Sequence, residues 1–261
     1  MVRQNNSEFR FQNPDATNNV QKIVMLTNFI ECGQQKCEKY MPLDQGEEIF
    51  FRNVHISQTG FHIKNFGIIT KAGYSIRKLE MRYSYCGVYE DTVTVYHYWF
   101  HNWADHKCPR DVNALLNLSL DILREGSYDF SETSDVTHEQ CMCSDSPRPS
   151  PKFVFPPMEE QVPCPVEVSV SSPLNFSVDN VSPPTIVHCS AGVGRTGCLI
   201  AILNGIKQLR FEHKVDVLGI VCNMRLNRGG MVQNSEQYEL VHKVLCLFEQ
   251  ACLGHTLVES V

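Results

Sequence analysis

A chain of 261 residues that is 43% hydrophobic and 20% charged has the material for one sizeable core, and its length permits one or two domains. The formal charge is −6, the pI is about 5.9, and no Lys/Arg run is long enough to grip a phosphate backbone. That argues against a nucleic-acid partner while leaving room for a local anion site. Twelve cysteines invite a disulfide framework, but the opening residues "MVRQNNSEFRFQNPDATNN" hold no apolar signal region. No stretch approaches the ~18 apolar residues of a membrane span, and Val2 stands where a myristoylation site needs glycine. The expected setting is the reducing cytoplasm, away from membranes, with most cysteines free and buried.

In chain order, residues 1–18 read as a polar, Asn-rich tail. Runs rich in β-branched and aromatic residues follow, "KIVMLTNFI" (22–30), "GIITKAGYSIRKLEMRYSY" (67–85) and "DTVTVYHYWF" (91–100), each partly alternating as strands do. The segment 111–126 carries Leu or Ile at 115, 116, 118, 120, 122 and 123 and stops at Gly126, which predicts a helix. From about 127 to 184 the chain is dense in Pro and Ser and reads as an insertion. "TIVH" then gives a short buried strand, "CLIAILNGIKQLRF" a helix, and the remainder two helices broken at Arg228-Gly229-Gly230. Strands first and helices later predict a mixed α/β domain over 19–250, with 251–261 a second tail.

Between "TIVH" and its helix lies "CSAGVGRTG" (189–197). Gly192, Gly194 and Gly197 fit a dinucleotide fingerprint, with Asp216 about twenty residues on. That fingerprint normally opens a two-part nucleotide domain, whereas here only helices remain to follow it. The rival reading uses every residue. A glycine-rich loop at a helix N-terminus turns successive backbone N–H groups inward and adds the positive end of the dipole, a cup suited to a phosphate dianion. Ser190, Ala191, Gly192, Val193 and Gly194 would form the cup, and Arg195 would fork two hydrogen bonds onto phosphate oxygens. Cys189 sits at its floor, where the same field favours thiolate over thiol. A thiolate facing phosphorus can attack in line and form a phosphocysteine. His188 would orient the adjoining backbone, and the Thr196 hydroxyl would help the sulfur depart. A merely structural cysteine beside a chance glycine loop would leave Arg195 unexplained.

"HCSAGVGRTG" resembles the signature loop of the protein tyrosine phosphatases, cysteine-x5-arginine with each glycine in place. Three further segments are similar to that family and stand in its order. "HYWFHNWADHKCP" (97–109) resembles its acid loop, H-F-x-Y-x-x-W-P-D-H-G-x-P, so the resemblance makes Asp105 the general acid that protonates the leaving phenolate. Ala104 replaces the family's proline and Lys107 its glycine. Losing a residue that fixes φ should loosen closure rather than remove the acid. "NVQKIVMLTNFIECGQQKCEKYMP" (19–42) matches V-V-M-L-x-x-x-x-E-x-G-x-x-K-C-x-x-Y-W-P, which implies that Glu31 braces Arg195 and that Lys36 meets the loop bearing Asp105; Met41 stands for a tryptophan. "MRLNRGGMVQNSEQYELV" (224–241) is similar to the glutamine loop, in which Gln233 and Gln237 would position the water that attacks the phosphoenzyme.

The resemblance implies a central mixed sheet flanked by helices, hydrolysis of phosphotyrosine in proteins, a role in signalling, and neither metal nor other cofactor. Family domains also carry a K-N-R-Y loop and a Y-I-x-T-Q-G-P segment upstream; only about twenty residues precede "KIVMLTN" and none match. The wall that clamps the substrate ring is therefore expected to be missing. A binding-only decoy that shields phosphotyrosyl proteins is the alternative, favoured by Ala104 and by that missing wall. His138, Cys141, Cys143 and Cys164 lack a common zinc spacing and read as loop thiols and a loop imidazole. Reduced copies of this kind resemble those carried by some large DNA viruses of insects, including polydnaviruses.

Overall fold

A computed structural model describes residues 20–52, 60–85, 88–104, 107–109, 111–124, 128–130 and 183–258. The N-terminal tail, almost all of the 127–184 insertion, Gly126, the zinc candidates and Asp105 lie outside the described residues. Six strands form one sheet in the order β4-β5-β6-β7-β1-β8. They are β4 (Glu48–Arg52), β5 (Gly60–Lys71), β6 (Tyr74–Tyr85), β7 (Val88–Phe100), β1 (Lys22–Met25) and β8 (Thr185–His188). The first four pair antiparallel, whereas β1 lies parallel to both β7 and β8, so the sheet is mixed. A two-stranded ribbon, β2 (Ile30–Glu31) with β3 (Gln34–Gln35), follows β1.

The segment 67–85 is a hairpin rather than a single strand. It turns at Ala72-Gly73, where Gly73 has a φ of 85° that a side chain would resist, and a Cβ there would lie 2.9 Å from that of Ala114. Strand β4, beyond the sequence reading, pairs with β5 at Phe50–His62, and the two rings stack at 4.3 Å. The first strand stops at Met25 rather than running to residue 30.

Among the described residues the predicted runs form four helices: α1 (Val112–Leu123), α2 (Gly194–Glu212), α3 (Val217–Asn227) and α4 (Ser235–Val258). Asp111 caps α1 by accepting from the Ala114 N–H, and Asp216 caps α3 through Gly219. Helix α4 continues to Val258, past the point at which the sequence suggested a tail. No helix among the described residues is long and apolar enough to cross a membrane.

Because β1 is parallel and central, it is buried on both faces. Val24 joins Tyr98, Ile76 and the apolar sides of α1, α2 and α4, among them Leu115, Leu199, Ile202 and Val241. Met25 faces the other way onto Met41, Ile63 and Leu79. Met41 is fully buried, so the position where the family sequence has tryptophan is a packing position here.

One polar chain crosses this interior. The Tyr40 hydroxyl lies 2.6 Å from His97 Nε2 and 2.7 Å from His188 Nε2, linking β7 to the end of β8. A hydroxyl has one proton, so one neutral imidazole must donate through Nε2 and the other accept. Burial pushes His97 well below the usual histidine value, and burial pushes His188 down as well, opposed by a bond to the backbone of Cys189. The folded chain thus binds fewer protons at these sites than the unfolded chain, and stability rises with pH through the interval below 6.5. Melting temperature should hold steady above about pH 7 and drop as pH falls to about 5, with a shallower slope in His97→Gln; equal slopes in both proteins would contradict this assignment.

Candidate active site

Parallel pairing of β7, β1 and β8 brings their C-terminal ends to one edge of the sheet, the usual position of a ligand crevice in open α/β sheets. Three loops leave that edge together. The loop after β1 brings Thr27, Asn28 and Glu31, the loop after β7 brings Trp103, and the loop after β8 brings Cys189 and leads into α2.

Arg195, in the first turn of α2, is 1% exposed. Its Nη1 donates to Glu31 Oε1 at 2.6 Å and to the Trp103 carbonyl at 2.8 Å. Glu31 is steadied in turn by the Thr27 hydroxyl and the Asn28 N–H, each donating to the same oxygen at 2.9 Å. Burial works against this carboxylate, but the bonds from Arg195, Asn28 and Thr27 outweigh it and hold its pKa below the usual value. Glu31, Arg195 and the acid-loop tryptophan thus meet. The Trp103 indole donates to the Lys107 carbonyl at 2.7 Å. Lys36 is half-buried, its backbone N–H bonded to the Phe29 carbonyl at 2.8 Å. Its suggested partner loop is described only at the flanks of Asp105.

Cys189 lies directly after β8, 9% exposed. Two donors converge on its sulfur, the Thr196 hydroxyl at 3.1 Å and the Gly192 N–H at 3.2 Å. Cys198, nine residues on, makes the contrast. It is wholly buried, its sulfur bonds the Gln237 carbonyl at 3.7 Å, and burial pushes its thiol up to about 12. One buried sulfur is set to donate a proton and the other to accept hydrogen bonds.

Helix α2 begins at Gly194, with Val193 in the cap position and no side-chain cap among the described residues. The first N–H groups of the helix therefore remain available to an anion. Gly192 has a φ of 70°, which turns the loop sharply. Arg228 holds the outer side of that loop, donating from Nε to the Gly192 carbonyl at 2.8 Å and from Nη2 to the Ala191 carbonyl at 3.1 Å. With these carbonyls drawn outward, the adjoining N–H groups point in. Ser190 and Val193 are half-buried and Ala191 exposed along the same turn.

Gln233 and Gln237 close the other side. The Gln233 N–H donates to Gln237 Oε1 at 2.7 Å. A Cβ on Gly194 would collide with Gln233 Oε1 and lie 2.9 Å from Gln237 Nε2, so both amides lie directly over the start of α2. Sequence reading missed Arg225, Arg228, Tyr40 and His97 as parts of this assembly. All four stood inside the matched segments, and the two arginines stood three apart, where a pair of cations on one helix end is a usable signal.

A family model for protein-tyrosine phosphatases matches residues 16–143 and 163–247, and the chain belongs to that family. It is 34% identical over 236 residues to the mouse receptor-type tyrosine-protein phosphatase R, covering 90% of this chain and 26% of that protein. It is also 31% identical over 229 residues to the human tyrosine-protein phosphatase non-receptor type 7, covering 88% of this chain and 45% of that protein. The human non-receptor type 5 enzyme is 30% identical over 228 residues, with 87% and 29% covered. The chain thus spans less than half the length of these relatives.

Both Glu31→Ala and Glu31→Gln remove the charge partner of the buried Arg195 cation, a loss of about 3–5 kcal/mol where nothing replaces it. The amide oxygen of Gln can still accept from Arg195, Thr27 and Asn28, so Glu31→Ala should be the more damaging. Urea unfolding of both variants would check this, and near-equal midpoints would refute it.

Proposed function

We propose that the chain hydrolyses phosphotyrosine in proteins through a phosphocysteine on Cys189. The observation that carries this reading is the convergence of the Thr196 hydroxyl and the Gly192 N–H on Cys189 Sγ, at the uncapped start of α2 beside the anchored Arg195. In the first step the thiolate attacks phosphorus, the P–S bond forms and the P–O bond to the phenol breaks. The proton of Asp105 passes to the departing oxygen. In the second, water bonds to phosphorus, the P–S bond breaks, the sulfur leaves as thiolate, and the water proton returns to Asp105. Gln233 and Gln237 orient that water, and the N–H groups of residues 190–194 with Arg195 hold the phosphoryl oxygens. Arg195 supplies positive charge to the phosphate, with no metal in the scheme.

The two donors on Cys189 support turnover over the binding-only reading, since a decoy has no use for a stabilised leaving sulfur. Phosphotyrosyl proteins would be the partners, and cytoplasmic signalling the setting. The chain would act as one catalytic domain over 19–250, the insertion included.

Purified protein should turn over a small aryl phosphate, with vanadate inhibiting it, and Cys189→Ser should abolish the activity. Iodoacetate at about pH 6 should label Cys189 well ahead of Cys198, whose burial keeps it protonated. Phosphopeptide binding without turnover would establish the decoy instead.

A further inference from the structure

Val232 has a φ of 60° and is 1% exposed. A β-branched residue avoids this left-handed region, and holding one there costs on the order of 1–3 kcal/mol. Three main-chain bonds hold it. Its N–H donates to the Val193 carbonyl at 3.2 Å, the N-cap residue of α2. Its carbonyl accepts from Arg225 Nη2 at 2.7 Å, and the preceding Met231 carbonyl accepts from Arg225 Nε at 2.9 Å. The left-handed turn sets these two carbonyls to one side, where they repel each other unless a donor spans both, and the planar fork of arginine suits that spacing. Gly197 allows the approach: a Cβ there would lie 2.5 Å from the Val232 nitrogen. The next residue is Gln233, whose N–H bonds Gln237 and whose side chain lies over Gly194.

We propose that Arg225 is a positioning residue for hydrolysis of the phosphocysteine: its guanidinium locks Val232 in the left-handed conformation and so sets the Gln233–Gln237 amide pair over the phosphate loop. The inference rests on the phosphocysteine reading given above. Arg225 acts through the main chain at 231 and 232 and takes no part in the first chemical step. Without the fork, carbonyl repulsion and the unfavourable φ relax the turn, and the amide pair leaves the site where water must be held.

The test compares the full-length wild type with Arg225→Met and Arg225→Lys on an aryl phosphate. kcat/KM reports steps through phosphoryl transfer to sulfur, whereas decay of the adduct on the Cys189-bearing peptide after substrate removal reports hydrolysis alone. Arg225→Met should slow adduct decay about tenfold, with accumulation of the adduct at steady state, while kcat/KM changes by less than about threefold. Arg225→Lys, which keeps the charge but loses the fork, should recover part of the decay rate. If Arg225→Met does not fold, a smaller split of the same sign in the lysine variant carries the result. Equal losses in kcat/KM and in adduct decay, or a lower melting temperature with both rates intact, would overturn the proposal. A wild type that forms no Cys189 adduct would instead remove the reading of the site on which it stands.

Discussion

The buried ion pair between Arg195 and Glu31 is the joint on which the site is assembled. Glu31 comes from the short strand β2 after β1 and Arg195 from the first turn of α2 after β8, and the Trp103 carbonyl, after β7, shares the same guanidinium nitrogen. A charge pair this deep offers little net stability, because desolvation consumes most of the Coulombic gain. Its consequence is geometric. A guanidinium fixed at one end by a carboxylate and a carbonyl cannot swing, so the rest of its fork is presented to the loop at one angle. The Thr27 and Asn28 bonds to Glu31 extend that fixation back to the end of β1.

Local charge and net charge part company here. The chain carries −6, yet at 189–195 the Gly192 N–H and the Thr196 hydroxyl meet one sulfur, Arg195 stands in the first turn of α2, and Arg228 binds the outer side of the loop. Helix-terminal dipoles and oriented amides act over a few ångströms, where screening by salt is weak in a buried setting, so an acidic protein can hold an anion cup without a basic surface. Arg228 works from outside that cup. On the proposed reading, by engaging the Ala191 and Gly192 carbonyls it removes from the inner wall partial negative charges that would oppose a bound anion.

Sequence carried the site further than the scaffold. Cys189 and Arg195 were legible from their spacing around the glycines, whereas Glu31, Gln233 and Gln237 were marked only by the resemblance of their segments to a family; the structure places Glu31 on Arg195 and the two amides over the start of α2. The hairpin at Ala72-Gly73 was not, since a single glycine inside an alternating run reads as a strand interior until its φ is known. Strand β4 was hidden because "EIFFR" is short and only its pairing with β5 gives it a reason to extend. Helix α2 starts at Gly194, four residues before the apolar run that announced it, because its first turn, Gly194-Arg195-Thr196-Gly197, is buried without being apolar. Arg225 and Arg228 escaped notice for a related reason. Their partners are main-chain carbonyls, so side-chain patterning shows the spacing of the pair but not what it binds.

A two-step phosphoryl transfer through sulfur sets conflicting demands. Whatever stabilises the thiolate as a leaving group also weakens it as a nucleophile, and the phosphocysteine must be broken by a water that the first step has to exclude. On the proposed reading the fold separates these duties onto two helix starts. The start of α2 serves sulfur and phosphate, and the start of α4 serves water through Gln233 and Gln237. The two are joined at the Val193 carbonyl, which receives both the Gly197 N–H of α2 at 3.0 Å and the Val232 N–H at 3.2 Å. A shared acceptor of that kind ties the placement of water to the placement of phosphorus, so that a shift in one helix start carries the other with it. The strained φ of Val232 is then the conformational cost of bringing the start of α4 to the oxygen that also caps α2.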